Sequence, residues 1–244
     1  MRQPFRAFRT DPSARGTATP AAGLYAPART AFGDYRFQQA SDPGPLLSGD
    51  LIDCIPSSDG VATVCFGDAS GHGFRAAMTS SLTRTVLREC DAEGGPTGLI
   101  RRANTLLTRL RTRPRFVSLW VGSFGPNGQI SFVDAGHGHW FILDAEGHLR
   151  AVSAIGNIPI GIDAQTEYAT EQVTLERGDR LVLFSDGIVE QCNRSDEEFG
   201  LLRLLRAVRG AATDAAEAVI RATRQHSECA SLRDDASIAI IERV

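Results

Sequence analysis

Four acidic positions stand where apolar runs of the sequence stop, each beside a glycine or a second acid: Gly49-Asp50, Gly67-Asp68, Ser185-Asp186-Gly187 and Asp234-Asp235. Strand ends are rigid, and glycine lets backbone and ligand approach closely, so carboxylates placed there can converge on one cation. Converging carboxylates repel one another unless a metal neutralises them or some take up protons, and a metal site accounts for all of these acids together. Asp-Gly is also a common hairpin turn. Asp59-Gly60, in a polar Ser-Ser-Asp-Gly stretch, is read as such a turn, whereas Asp186-Gly187 lies between Leu-Val-Leu-Phe-Ser and Ile-Val-Glu, too apolar for an exposed tip. The segment from Gly67 to Gly73 places three glycines and Asp68 between a strand and a helix. A phosphate cradle at that helix N-terminus is a competing reading, although the Lys of a P-loop is missing.

Other chemistries fit less well. His137-x-His139 suggests zinc, but a catalytic zinc needs three protein ligands and no third His or Cys has a convincing spacing. His137 is expected to order a loop and His72 a turn near the acids, with general-acid catalysis by His72 as a functional alternative. Cys54 and Cys65 flank the acids, yet neither opens a Cys-x5-Arg loop, so a cysteinyl-phosphate route is unsupported.

The elements that must hold these acids follow from periodicity. Short β-type runs cover Tyr35 to Gln39 and Val61 to Phe66, so a sheet-rich domain is expected from Asp34 onward. After Gly73, Met78, Leu82 and Val86 recur every fourth residue and predict a helix with that stripe on its core face. Leu99, Ala103, Leu106, Leu107 and Leu110 mark a second helix, with Pro114 just beyond it. Strands return at Phe116 to Phe124, Gln129 to Val133, Trp140 to Leu143 and Arg180 to Ser185, with turns at Pro126-Asn127-Gly128 and Ala145-Glu146-Gly147. Helices over Leu201 to Val208 and Ala212 to His226 precede a last strand, Ala236 to Ile241. Grouped strands and grouped helices indicate α+β layers, not a Rossmann alternation.

The chain of 244 residues is long enough for one large domain, and its 42% apolar and 23% charged residues are those of a folded globule. Residues 1 to about 30, rich in Pro, Ala, Thr, Gly and Arg, read as a flexible tail or linker, and 31–244 as the catalytic domain. A net charge of −3 provides no footprint for nucleic acid. Five scattered cysteines without a CxxC spacing read as reduced thiols, and no apolar run suits a membrane span or signal peptide. A cytoplasmic location is expected.

Taken in order, Ser48-Gly49-Asp50-Leu51-Ile52-Asp53, Gly67 to Gly73, Ala135-Gly136-His137, Ser185-Asp186-Gly187 and Asp234-Asp235 resemble the motifs of the SpoIIE/RsbU-like branch of the PPM, or protein phosphatase 2C-like, metal-dependent serine/threonine phosphatases. The resemblance runs from about Asp34 to Val244. It implies a four-layer α-β-β-α sandwich, with two antiparallel sheets flanked by helices. It also implies two Mn²⁺ or Mg²⁺ ions, bridged by Asp68 with help from the Ala69 carbonyl. Asp50 would serve one ion, and Asp186 with Asp234 or Asp235 the other. Asp68 and Asp186 are the expected centre of catalysis. Two departures from the pattern are Ser48, where Gly is usual, and Gly138-His139 after the Ala-Gly-His motif, where Pro is common. There is also no Arg just upstream of Asp50 like the phosphate-binding Arg of eukaryotic relatives.

The implied reaction is hydrolysis of phosphoserine or phosphothreonine in a regulatory protein, such as an anti-sigma-factor antagonist in partner switching. The alternatives are an inactive interaction module of the same fold and a metal-dependent phosphodiesterase. The helix after Gly73 runs directly from the Asp68 loop and is expected to transmit movement to the metals. A homodimer or a regulatory protein partner is expected to supply such control.

Overall fold

The structure is a computed structural model that describes residues 28–43, 47–56, 62–89, 94–110, 116–211, 213–229 and 231–244. The predicted Asp59-Gly60 turn, Pro114, Cys90 and all but the last three residues of the 1–30 tail lie outside these.

Two antiparallel sheets form the centre. The first contains β1 (Arg29–Phe32), β2 (Tyr35–Asp42), β7 (Trp140–Leu143), β8 (Leu149–Arg150), β10 (Arg180–Phe184) and β11 (Ala236–Arg243), in the order β1-β2-β11-β10-β7-β8. The second contains β3 (Asp50–Pro56), β4 (Ala62–Ala69), β5 (Val117–Phe124), β6 (Gln129–Ala135) and β9 (Glu171–Thr174), in numerical order. α1 (Phe74–Glu89) and α2 (Gly95–Arg109) cover the second sheet, while α4 (Gly200–Gly210) and α5 (Ala215–Ser227) cover the first; a single turn, α3 (Asp186–Val189), follows β10. The expected α-β-β-α sandwich is therefore present, and β1 opens ahead of Asp34, where the sequence placed the start of the domain.

Strand side chains alternate between faces, and three buried clusters record the alternation. Phe37, Val64, Phe66, Trp120, Phe132, Leu181, Leu183, Ala239 and Ile241 meet between the sheets. Leu51, Cys65, Leu119 and Val121 pack with Leu99, Ile100 and Ala103 under the first helix pair. Val182, Ile238 and Ile240 pack with Leu204, Val208 and Val219 under the second.

α1 forms where predicted, but its predicted face is reversed. Met78 is 50% and Leu82 38% exposed, with Phe74 at 68%, and Val86 is half-buried. The buried face carries Ala76, Thr79, Ser80, Thr83, Arg84 and Leu87. The reversal arises because what α1 meets on β3 is polar: the Ser80 hydroxyl donates to the Asp50 carbonyl at 3.2 Å, and Arg84 donates to the Ile52 carbonyl at 3.1 Å. Arg88 forks onto Asp53, whose side chain is fully buried. Hydrogen-bonding groups must pair when buried, and that requirement outranks the apolar stripe. Met78→Ala is accordingly expected to change stability in a urea titration by no more than about 0.5 kcal/mol, against the 2–5 kcal/mol roughly expected for a core-facing Met. In α2 the predicted stripe holds at Leu99, Ala103 and Leu107, whereas Leu110 lies past the helix end and is 40% exposed.

Candidate metal centre

Antiparallel pairing explains how acids scattered through the sequence reach one place, because strand starts and strand ends alternate along the same edge. Asp50 does not end a strand, as the sequence suggested, but opens β3, directly opposite Asp68 near the end of β4. Asp186 follows β10, and Asp234-Asp235 precede β11, whose first residues flank the end of β10. Asp50 and Asp68 continue the alternate positions that carry Ile52 with Cys54 and Val64 with Phe66 between the sheets. Asp235 and Ser237 likewise continue the positions of Ala239 and Ile241, and Ser185 those of Leu181 and Leu183. The inter-sheet core thus turns polar at its mouth.

Electrostatics record the convergence. The Asp68 carboxyl is pushed from 3.8 up to about 7, first by burial and then by Asp186, Asp234 and Asp235. Asp50 is raised well above the carboxylate range, chiefly by burial and further by Asp68 and Asp235, against hydrogen bonds from Ser237 and Ser185. Asp50 Oδ2 is buried without a hydrogen-bond partner. Gly49 makes room for this arrangement, since a Cβ there would stand 3.0 Å from Asp68 Oδ1 and 3.2 Å from the Ala69 carbonyl oxygen. Gly187 does the same for the other strand pair, because a Cβ would lie 2.1 Å from the Asp235 carbonyl oxygen. A raised carboxyl, an orphaned buried carboxylate oxygen and an all-oxygen donor set fit hard divalent cations. A cavity of about 330 Å³ opens beside Asp50, lined by Ser41, Ser48, Arg84 and Ser237 among others.

The remaining predicted residues divide. Asp53 faces α1 and its arginines, away from the other acids. His137 is buried in a loop whose backbone wraps an acid that the sequence reading missed: Asp134 accepts from the His137 and Gly138 N–H groups and from the Trp140 indole. Burial, then the neighbouring His139, pushes the His137 imidazole down to about 3. His72 is exposed. Cys54, Cys65, Cys192 and Cys229 are free thiols, and burial pushes Cys54 up to about 12. Ser237 was also missed, although its place in the β11 alternation marks it. Among the described residues, ligand atoms of Asp144, Glu146 and His148 lie within 4.8 Å of one another. The turn between β7 and β8 explains that grouping, since the His148 N–H donates to Asp144 Oδ1 at 2.7 Å.

Comparison with known proteins identifies the family. The family model described as Stage II sporulation protein E (SpoIIE) matches residues 58–244. Protein IcfG of Synechocystis sp. (strain ATCC 27184 / PCC 6803 / Kazusa) is 24% identical over 196 residues, covering 68% of this chain and 31% of that protein. Phosphoserine phosphatase RsbU of Bacillus subtilis (strain 168) is 22% identical over 152 residues, covering 62% of this chain and 45% of that protein. The chain therefore spans less than half the length of these two relatives. The solved PP2C phosphatase domain of SpoIIE from Bacillus subtilis, which includes a fragment of the regulatory domain, superposes with a TM-score of 0.72 at 22% identity, covering 87% of this chain and 64% of that one. Among the described residues no helix is long and apolar enough to cross a membrane. With three quarters of its length matched by the family model, and a fold that superposes on a solved PP2C phosphatase domain, the chain belongs to the SpoIIE family.

Proposed function

We propose that the chain hydrolyses phosphoserine or phosphothreonine in a regulatory protein, by attack of a water activated between two Mn²⁺ or Mg²⁺ ions. The observation that carries this reading is the meeting of Asp50, Asp68, Asp186 and Asp234 at one mouth, with the Asp68 carboxyl raised to about 7. Asp68 would face both ions, Asp50 and the Ala69 carbonyl would hold one from the second sheet, and Asp186 with Asp234 would hold the other from the first. When bound, such ions would supply an activated water and offset charge on the transferring phosphoryl group. The chain's own residues supply positions: Gly49 and Gly187 admit the close approach of the strand ends that carry the acids. The phosphoserine phosphatase activity named for RsbU supports the substrate class. An anti-sigma-factor antagonist in a partner-switching pathway is the regulatory protein proposed, and the cytoplasm the location. Control would come through α1, whose polar face rests on β3, by way of a homodimer or a protein partner.

The test is phosphate release from a phosphoserine protein with Mn²⁺ or Mg²⁺ supplied and then removed by EDTA. Release should require metal and should exceed hydrolysis of bis(p-nitrophenyl) phosphate, a diester. Preferential cleavage of the diester would identify a phosphodiesterase, and metal binding without hydrolysis of any phosphoprotein an inactive module. Metal must displace the proton that Asp68 retains up to about pH 7. Calorimetric Mn²⁺ affinity should therefore rise with pH through that value, with proton release on binding at pH 6.

A further inference from the structure

We propose that Asp235 is a positioning residue that latches the two sheets together at the metal mouth, and that it acts through Gly49 and not as a ligand. This rests on the two-metal reading given above. Asp235 Oδ2 accepts the Gly49 backbone N–H at 2.8 Å, across 186 residues of sequence. Gly49 in turn presents its carbonyl to the Ala69 N–H at 3.2 Å, and its bare Cα faces Asp68 Oδ1 and the Ala69 carbonyl. One carboxylate on the β11 side thus sets the peptide that packs against both second-sheet oxygens expected to face the ions, and that immediately precedes Asp50.

Asp235 is itself held firmly enough to serve as an anchor. Its carbonyl accepts the Ser185 hydroxyl at 3.1 Å, and the same Ser185 Oγ accepts the Ser237 N–H at 2.9 Å. The Ser185 N–H donates to the Ser237 carbonyl at 2.9 Å, closing the ladder at the end of β10. Gly187 lets α3 close onto the Asp235 carbonyl oxygen, which a Cβ there would meet at 2.1 Å. The Asp235 N–H donates to Asp234 Oδ1 at 2.8 Å, so the same residue also orients the neighbouring candidate ligand. Asp186 and Asp234 flank strand ends of one sheet, whereas Asp50 and Asp68 lie in strands of the other. A two-ion centre requires fixed spacing between those pairs, and apolar packing between sheets does not specify it as closely as a short hydrogen bond does.

The latch needs only an oxygen that accepts one N–H, which an Asn side chain provides, whereas a ligand needs the anionic carboxylate. Mn²⁺ affinity measured by calorimetry should fall about 10–100-fold in Asp235→Ala and stay within about threefold of the parent in Asp235→Asn. Asp234→Asn serves as the ligand control and should lose affinity strongly. Equal losses in Asp235→Asn and Asp234→Asn would overturn the proposal. Hydrogen exchange at the Gly49 amide, read by NMR on metal-free protein, is an independent arm. It should be slow in the parent and in Asp235→Asn and fast in Asp235→Ala, and unchanged exchange in Asp235→Ala would also overturn the latch. Failure of the parent to bind Mn²⁺ would instead sink the two-metal reading, leaving the exchange measurement to decide the latch.

Discussion

Asp68→Ala should lower metal-dependent phosphate release by about 10³-fold and, in metal-free protein, raise the melting temperature at neutral pH. The first effect follows from its position opposite Asp50 and within the field of Asp186, Asp234 and Asp235. Charge stabilisation by metals is worth several kcal/mol in a transition state, and about 4 kcal/mol is roughly three decades of rate. The second effect follows from linkage. In the folded protein the Asp68 carboxyl keeps its proton up to about pH 7, whereas in the unfolded chain it gives it up near 3.8. The folded state therefore binds more protons between those values, and stability falls as pH rises across that window. Above the folded value the full cost of an ionised, crowded carboxylate is present, and Ala removes it. Melts of metal-free parent and Asp68→Ala from pH 4 to 8 should diverge progressively up to about pH 7. A constant offset at every pH would show that repulsion at Asp68 is not what destabilises the empty centre.

The largest stability loss is expected at a place with no role in ligation. Arg88→Ala leaves Asp53, whose side chain is 0% exposed, without the guanidinium that bonds it at 2.5 and 2.7 Å. The Cys54 N–H at 3.0 Å and Arg84 Nε at 4.0 Å stay beside it. Breaking a buried ion pair from one side costs about 3–5 kcal/mol, because the other charge stays buried. The lower figure corresponds to a drop of roughly 6–12 °C in melting temperature for a domain of this size. Arg88 is itself 36% exposed, so the penalty arises at Asp53 and not from lost solvation of the arginine. Asp53→Asn placed in the Arg88→Ala background should therefore recover part of the loss in urea titrations, since a neutral amide is cheaper to bury unpaired. No recovery would place the cost in lost packing of the arginine stem instead.

Much of this architecture was legible in the sequence, because strand alternation and motif order are local signals. The run Val64-Cys65-Phe66-Gly67-Asp68 shows its faces directly, and Trp140–Leu143 is a strand with the predicted ends. Three short strands, β1, β8 and β9, and the single turn α3 escaped, each only two to four residues long. β3 was read as a motif and not as a strand, since Ser48 to Asp53 mixes acids with apolar residues on both faces. The faces of α1 were misassigned because its partners are carbonyls and an acid brought from β3, which no property of residues 74–89 announces. Asp134 was similarly hidden: it accepts backbone N–H groups of its own loop, and backbone donors leave no trace in side-chain types.

The way α1 is seated has a thermodynamic consequence. Apolar contacts between helix and sheet weaken gradually as the surfaces slide, but the bonds from Ser80 and Arg84 to the β3 carbonyls are directional and are lost within a small displacement. Ala76 and Leu87 are the apolar side chains on the helix's buried face, while Phe74 and Met78 already face solvent. Lifting the helix would hydrate these polar groups together with Ala76, Leu87 and the apolar sheet residues beneath them, and because polar and apolar hydration change heat capacity in opposite senses, the two contributions partly offset one another. The free energy of that opening would then curve less with temperature than the stability of the domain that carries it.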